Sequence, residues 1–220
     1  MSVATDSSST SEVPASDGLD SASDEPAIPL RARQQMRTRR DLVRAVIGII
    51  SVGGLDAATI ERITKRAGTS RATLYAHFPA GRTALIAETY QVVGHDLIID
   101  AERDAAQQTE WIEQLCAYPR AMLKLATTRE LGLFYNVSGP QLVGMQRRGV
   151  GSQRTLNALV EGLGRAQEAG DIAPHIDVEA IAALLVGAIR EAGIDASRDP
   201  STAERRLTAF RQLLEAIARR

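Results

Sequence analysis

Residues 59–85 read TIERITKRAGTSRATLYAHFPAGRTAL. Thr59 is a good N-cap for a short helix through Ala67, with Ile60 and Ile63 turned inward. Gly68-Thr69 makes a tight turn, and Ser70 caps another short helix to about Phe78. Two helices of roughly eight residues joined by a short Gly-containing turn form a helix-turn-helix. In the second helix only Leu74 and Phe78 are obvious core anchors, which leaves Arg71, Ala72, Thr73, Tyr75 and His77. Arg bonds a guanine edge in two places, Ala touches a thymine methyl, and Thr, Tyr and His reach phosphate oxygens. A helix N-terminus aimed at a phosphate adds its dipole. Tyr75 and His77 packing on the first helix of the head, upstream of this pair, is the alternative. The neighbouring bases and the turn spacing favour DNA.

Upstream, Arg33 to Val52 carries Met36, Leu42, Val43, Val46, Ile47, Ile49 and Ile50 near helical spacing, and Gly53-Gly54 stops that helix. Arg37, Arg39, Arg40 and Arg44 lie mostly off its apolar face. The chain as a whole is nearly neutral, with 26 basic and 27 acidic residues, but its charge is polarised. Residues 31–85 hold eleven bases against Asp41, Asp56 and Glu61, which is the electrostatic footprint of a nucleic-acid reader. A solvated helix surface is the alternative. Residues 1–30 hold six acids and no base among Ser, Thr, Ala and Pro; such a segment buries too little surface to offset its ordering entropy and is expected to be disordered. It serves either as a solubilising extension or as a competitor for phosphate sites.

The stretch Thr59 to Leu85 resembles the DNA-binding head of the TetR family of transcriptional repressors. Ala67-Gly68, Tyr75, His77 and Phe78 match its signature of an Ala-Gly turn and a recognition helix ending in Tyr-x-x-Phe. Thr69 stands where the family has a small aliphatic residue, and Gly81 precedes Arg82 as if one residue were inserted before the usual base. The resemblance implies DNA contacts from Thr59, Ser70, Arg71, Ala72, Thr73, Tyr75, His77 and Arg82.

Downstream, 34 alanines and only 4% aromatics favour helices over sheet. A long helix runs from Thr83 to about Gln108, and Asp96, Asp100 and Asp104 repeat along it. One helix face cannot enclose an ion, so a solvated stripe is expected and no metal. Between Thr109 and Gly170 the pattern is broken by Pro119, Gly139-Pro140, Gly149 and Gly151. Trp111, Leu115, Tyr118 and Met122, with Phe134, Tyr135 and Met145, would line an apolar pocket for a small hydrophobic effector, a reading that the resemblance strengthens over plain core packing. Asp177 caps a helix that Gly193 ends, and Ser201-Thr202-Ala203-Glu204 is a capping box for the last. These two helices close the core or pair with a second copy, and the resemblance implies the pairing.

One cysteine excludes a disulfide scaffold, and no apolar run spans a bilayer. G-x-S-x-G, H-E-x-x-H and P-loop motifs are missing, so neither an enzyme nor a cofactor is expected. The expectation is an all-α cytoplasmic protein of about nine helices: an acidic tail (1–32), a three-helix DNA-binding head (33–96, motif 59–78), and a helical ligand-binding and dimerisation body (97–220). Its partners would be double-stranded operator DNA with an inverted repeat, a second copy, and a small-molecule effector that releases it. The alternative is a helical scaffold or partner-binding protein with a non-specific basic head. Preference for its own promoter over random duplex by about 10³-fold separates the two.

Overall fold

The computed structural model describes residues 29–142 and 150–219. Among them the architecture is all-helical, with an isolated bridge between Ile172 and Ala218 in place of any sheet. The expected disorder of the acidic tail concerns residues that lie almost wholly outside the described ones.

The head is built from α1 (Leu30–Gly53), α2 (Ile60–Ala67) and α3 (Arg71–His77). Gly54, at φ 71°, ends α1, and a single 3-10 turn, Leu55–Ala57, leads into α2. Leu42, Val46 and Ile50 of α1 meet Ile63 and Leu74 in a core from which water is excluded. That burial holds two helices too short to persist alone.

Helix α4 (Arg82–Ala105) runs unbroken from the head into the body, past residue 96. Its Leu85, Ile86, Tyr90 and Val93 belong to the same core as the head, which continues through Phe134 and Tyr135. The body adds α5 (Trp111–Thr127), α6 (Arg129–Leu133), α7 (Gly139–Leu142), α8 (Val150–Glu168), α9 (Val178–Arg198) and α10 (Ala203–Ile217). A π-helical turn, Phe134–Ser138, fuses α6 and α7 into one run, so nine helical rods are present among the described residues. A second core, around Leu115, Leu159, Leu163, Leu185, Phe210 and Leu214, joins α5, α8, α9 and α10.

Several local expectations are corrected. Pro119 lies inside α5 and does not break it. Its missing N–H costs a helical bond, which the burial of Leu115, Cys116, Tyr118 and Leu123 along the same rod offsets. Gly151 falls within the first turn of α8. Gly193 does not end α9, which runs on to Arg198. A Cβ there would stand 2.8 Å from Met122 Cγ and 2.9 Å from Asn136 Oδ1, so the glycine serves close packing of α9 on α5 and the π turn. The capping box is also displaced: Asp199 caps a 3-10 turn over Pro200–Thr202 by accepting from the Ser201 N–H at 3.0 Å, and Thr202 makes no side-chain cap to α10. Asp177 does cap α9, accepting from the Ala180 N–H at 3.0 Å.

Candidate functional site

Thr59 accepts from the Arg62 N–H at the start of α2, and Ser70 accepts from the Thr73 N–H at 3.0 Å at the start of α3. Between them Gly68 sits in the left-handed region (φ 64°), and the Thr69 N–H returns to the Thr64 carbonyl at 3.0 Å. That closure fixes the angle between the two helices. Leu74 and Phe78 are buried below α3, so its other face is turned out: Arg71, Ala72 and Tyr75 are exposed, and Thr73 and His77 are partly so.

Arg71 is not free on that surface. Its guanidinium reaches back to the Glu61 carboxylate at 2.5 Å, both side chains being more than half exposed. Glu61's own backbone N–H, then Arg71, hold the carboxyl below the usual glutamate range. Tyr75 packs its ring over Gly81, where a Cβ would approach Cε1 to 3.0 Å. Gly81 also needs a positive φ of 62°. That turn places Arg82 so that Nε donates to the Ala58 carbonyl at 2.7 Å and an Nη to the Leu55 carbonyl at 2.8 Å. Arg82 therefore ties α4 to the α1–α2 connection.

A second strut escaped the sequence reading. Arg39 of α1 forms a two-pronged pair with Glu88 of α4 at 2.9 and 3.1 Å, and donates to the His77 carbonyl at 3.2 Å. Its guanidinium lies 4.4 Å from the centroid of the Phe78 ring. One side chain thus locks the end of α3 to α1 and α4. Its signal was only an arginine one turn before the apolar run.

The expected pocket residues do not converge on one cavity. Met122 and Tyr135 line a central cavity of about 80 Å³. Leu115 and Tyr118 line a separate cleft of about 250 Å³ with Gln114 and Arg165. Phe134 is buried edge-on to Tyr90, with centroids 6.3 Å apart, and Trp111 packs half-buried on the second core. Met145 lies outside the described residues.

The central cavity instead recruits α4 and α9. Tyr90 stacks on Tyr135 with centroids 5.0 Å apart, and Ile98, Val186 and Ile189 complete the apolar wall. Asn136, Ser152, Thr155 and Arg190 bring polar groups to it. Asn136 is anchored by donating to the Gly193 carbonyl at 3.3 Å and to Ser197 Oγ at 3.1 Å. Burial raises both phenols, and Arg190 partly opposes the rise at Tyr90, so both rings stay neutral hydrogen-bond donors. Arg190 was legible as the cation that ends the apolar run 181–189, with Glu191 next to it. Asp104 of the aspartate stripe is committed to Arg120 at 2.7 Å. Among the described residues no group of three or more metal-ligating side chains forms, and no helix is long and apolar enough to cross a membrane.

Residues 42–89 match the model of the bacterial regulatory proteins of the tetR family, and residues 112–217 match a tetracyclin repressor-like C-terminal domain. No curated protein sequence matches the chain. Among solved structures, a TetR-family transcriptional regulator from Pectobacterium atrosepticum is 18% identical over 84% of this chain and 93% of its own, with a TM-score of 0.66. A TetR transcriptional regulator from Streptomyces coelicolor is 27% identical over 82% of this chain and 98% of its own, at 0.55. FadR from Bacillus subtilis, solved with stearoyl-CoA, is 17% identical over 80% and 96%, at 0.63. With a helix-turn-helix head and a C-terminal helical body each matched by its own model, the chain belongs to the TetR family of transcriptional regulators.

Proposed function

We propose that this protein is a homodimeric repressor that an effector in the body releases from an inverted-repeat operator. The observation that carries the reading is the outward face of α3, basic and hydroxyl-bearing over the buried Leu74 and Phe78. Arg71 reads a base edge, exchanging Glu61 for guanine, and Ala72 faces the thymine methyl. Thr59, Ser70, Thr73, Tyr75 and His77 contact phosphates, while Arg82 positions the head through the α1–α2 connection. Leu184 and Leu213, exposed on α9 and α10, with the open side of Gly187 three residues after Leu184, supply the pairing surface. Leu185 and Phe210 are interior to one protomer and take no part in it.

The effector site is the central cavity, because α4 supplies Tyr90, Leu97 and Ile98 to it and carries the Arg82 strut at its other end. A ligand favouring one tilt of that rod shifts the separation of the two heads, with a coupling of roughly 1–3 kcal/mol. FadR from Bacillus subtilis was solved with stearoyl-CoA, which supports a small-molecule effector for this protein too, although a stearoyl chain far exceeds 80 Å³.

The test is binding to the protein's own promoter and to random duplex. R71A should lose about 1–3 kcal/mol and relax one position of each half-site, whereas Y75F should weaken all sequences alike. Equal losses on both DNAs for R71A remove Arg71 from base reading. A wild-type preference well below about 10³-fold favours the non-specific scaffold instead.

A further inference from the structure

We propose that the central cavity takes a small apolar carboxylate, a short-chain or single-ring acid, whose anionic head pairs with Arg190. This deepens the effector reading above and rests on it. The argument starts from charge. Among the described residues, no acid lines the cavity, and its one charged lining group is Arg190. The body's partly buried arginines are neutralised: Arg120 pairs with Asp104, Arg154 with Glu102, Arg206 with Asp195 and Arg211 with Glu113. Arg190 has no carboxylate within 4.0 Å among the described residues. It is exposed and thus stands at the mouth, where a planar fork meets a carboxylate in two bonds.

The interior sets the rest of the ligand. Tyr90 and Tyr135 stack on each other at the lining, and Met122 and Ile189 are among its apolar groups. Met122 adapts to the shape it meets. A volume of about 80 Å³ is a few waters' worth of space: a butyl chain fits it, a phenyl ring needs Met122 to move aside, and a long acyl tail is too large. Ser152 lies on the same lining as Arg190 and can donate to one of the carboxylate's remaining lone pairs, whereas the Thr155 hydroxyl already donates to the Gly151 carbonyl at 3.0 Å. A cationic ligand meets no counter-charge here. A neutral isostere gains the wall but not the pair.

The experiment is calorimetric titration of the full chain, without DNA, with benzoate, butyrate, benzamide and benzylamine. Benzoate or butyrate should bind saturably, at least about tenfold more tightly than benzamide, and benzylamine should not bind. R190Q should lose that tenfold while binding benzamide as the wild type does, and R190K should recover part of it as a point charge without the fork. A far-UV melt checks that both variants fold. Three results overturn the proposal: no saturable binding of either acid at millimolar concentration, benzamide binding as tightly as benzoate, or R190Q binding benzoate like the wild type. Operator affinity is then measured with the bound acid present. An acid held through Arg190 that leaves operator binding unchanged upholds this inference and refutes the release mechanism alone.

Discussion

Replacing Arg82 by alanine tests whether this residue is a strut or a phosphate contact. Its guanidinium bonds the Ala58 carbonyl at 2.7 Å and the Leu55 carbonyl at 2.8 Å, and Ala58 is fully buried. A bond from a charged donor contributes about 1.5–3 kcal/mol. Leu55 keeps a bond from the Ala58 N–H at 3.1 Å, so the larger loss falls on Ala58, whose buried carbonyl is stranded. Arg82 is itself partly exposed, and water recovers some of the cost. The expected total is about 2–4 kcal/mol. With a denaturant slope of about 2 kcal/mol/M, the urea midpoint should fall by roughly 1–2 M. R82K should recover less than half, because an ammonium cannot hold two divergent carbonyls as a fork does. DNA affinity should drop with the salt slope unchanged, since no phosphate contact is removed. A stability within about 0.5 kcal/mol of wild type, together with a salt slope reduced by about one, would refute the strut and make Arg82 a phosphate ligand.

Three further outcomes follow from the same contacts. The hydrogen bond from Arg39 holds the Glu88 carboxyl below its ordinary value, so the pair stabilises the head above the unfolded glutamate pKa of about 4.3 and that contribution is lost as pH falls through the folded value. E88Q should therefore melt lower than wild type at neutral pH and converge with it in acid; parallel curves at all pH values would contradict the assignment. Burial pushes the Cys116 thiol up to about 11, so native protein at pH 8 should resist iodoacetamide that labels it readily in urea, and rapid native labelling would show an open site. L184E with L213E should yield folded monomers, whereas L185E or F210E should unfold the body by burying a charge; a double variant that still sediments as a dimer places the interface elsewhere.

The sequence by itself determined what acts within a turn or two of chain. Thr59, Ser70 and Asp177 are caps because a side-chain oxygen meets an N–H three residues on, and Gly68 turns the chain because it alone tolerates its φ cheaply. The periodicity of α1 and the anchors Leu74 and Phe78 are equally local, which is why the head was readable nearly residue by residue. Pro119 and Gly193 looked like breaks because their intrinsic preferences oppose a helix. Only the neighbours they pack against, with α5 carrying a buried face and Met122 seated on Gly193, reverse that preference. Pocket residues were chosen by type from one segment, yet a cavity is made where separate helices face each other. Tyr90 of α4, Asn136 of the π turn and Arg190 of α9 are far apart in sequence and meet only in the folded body. Arg82 and Arg39 follow the same rule: their charge was legible, but whether a guanidinium faces a phosphate or a buried carbonyl is decided by which backbone lies within its reach.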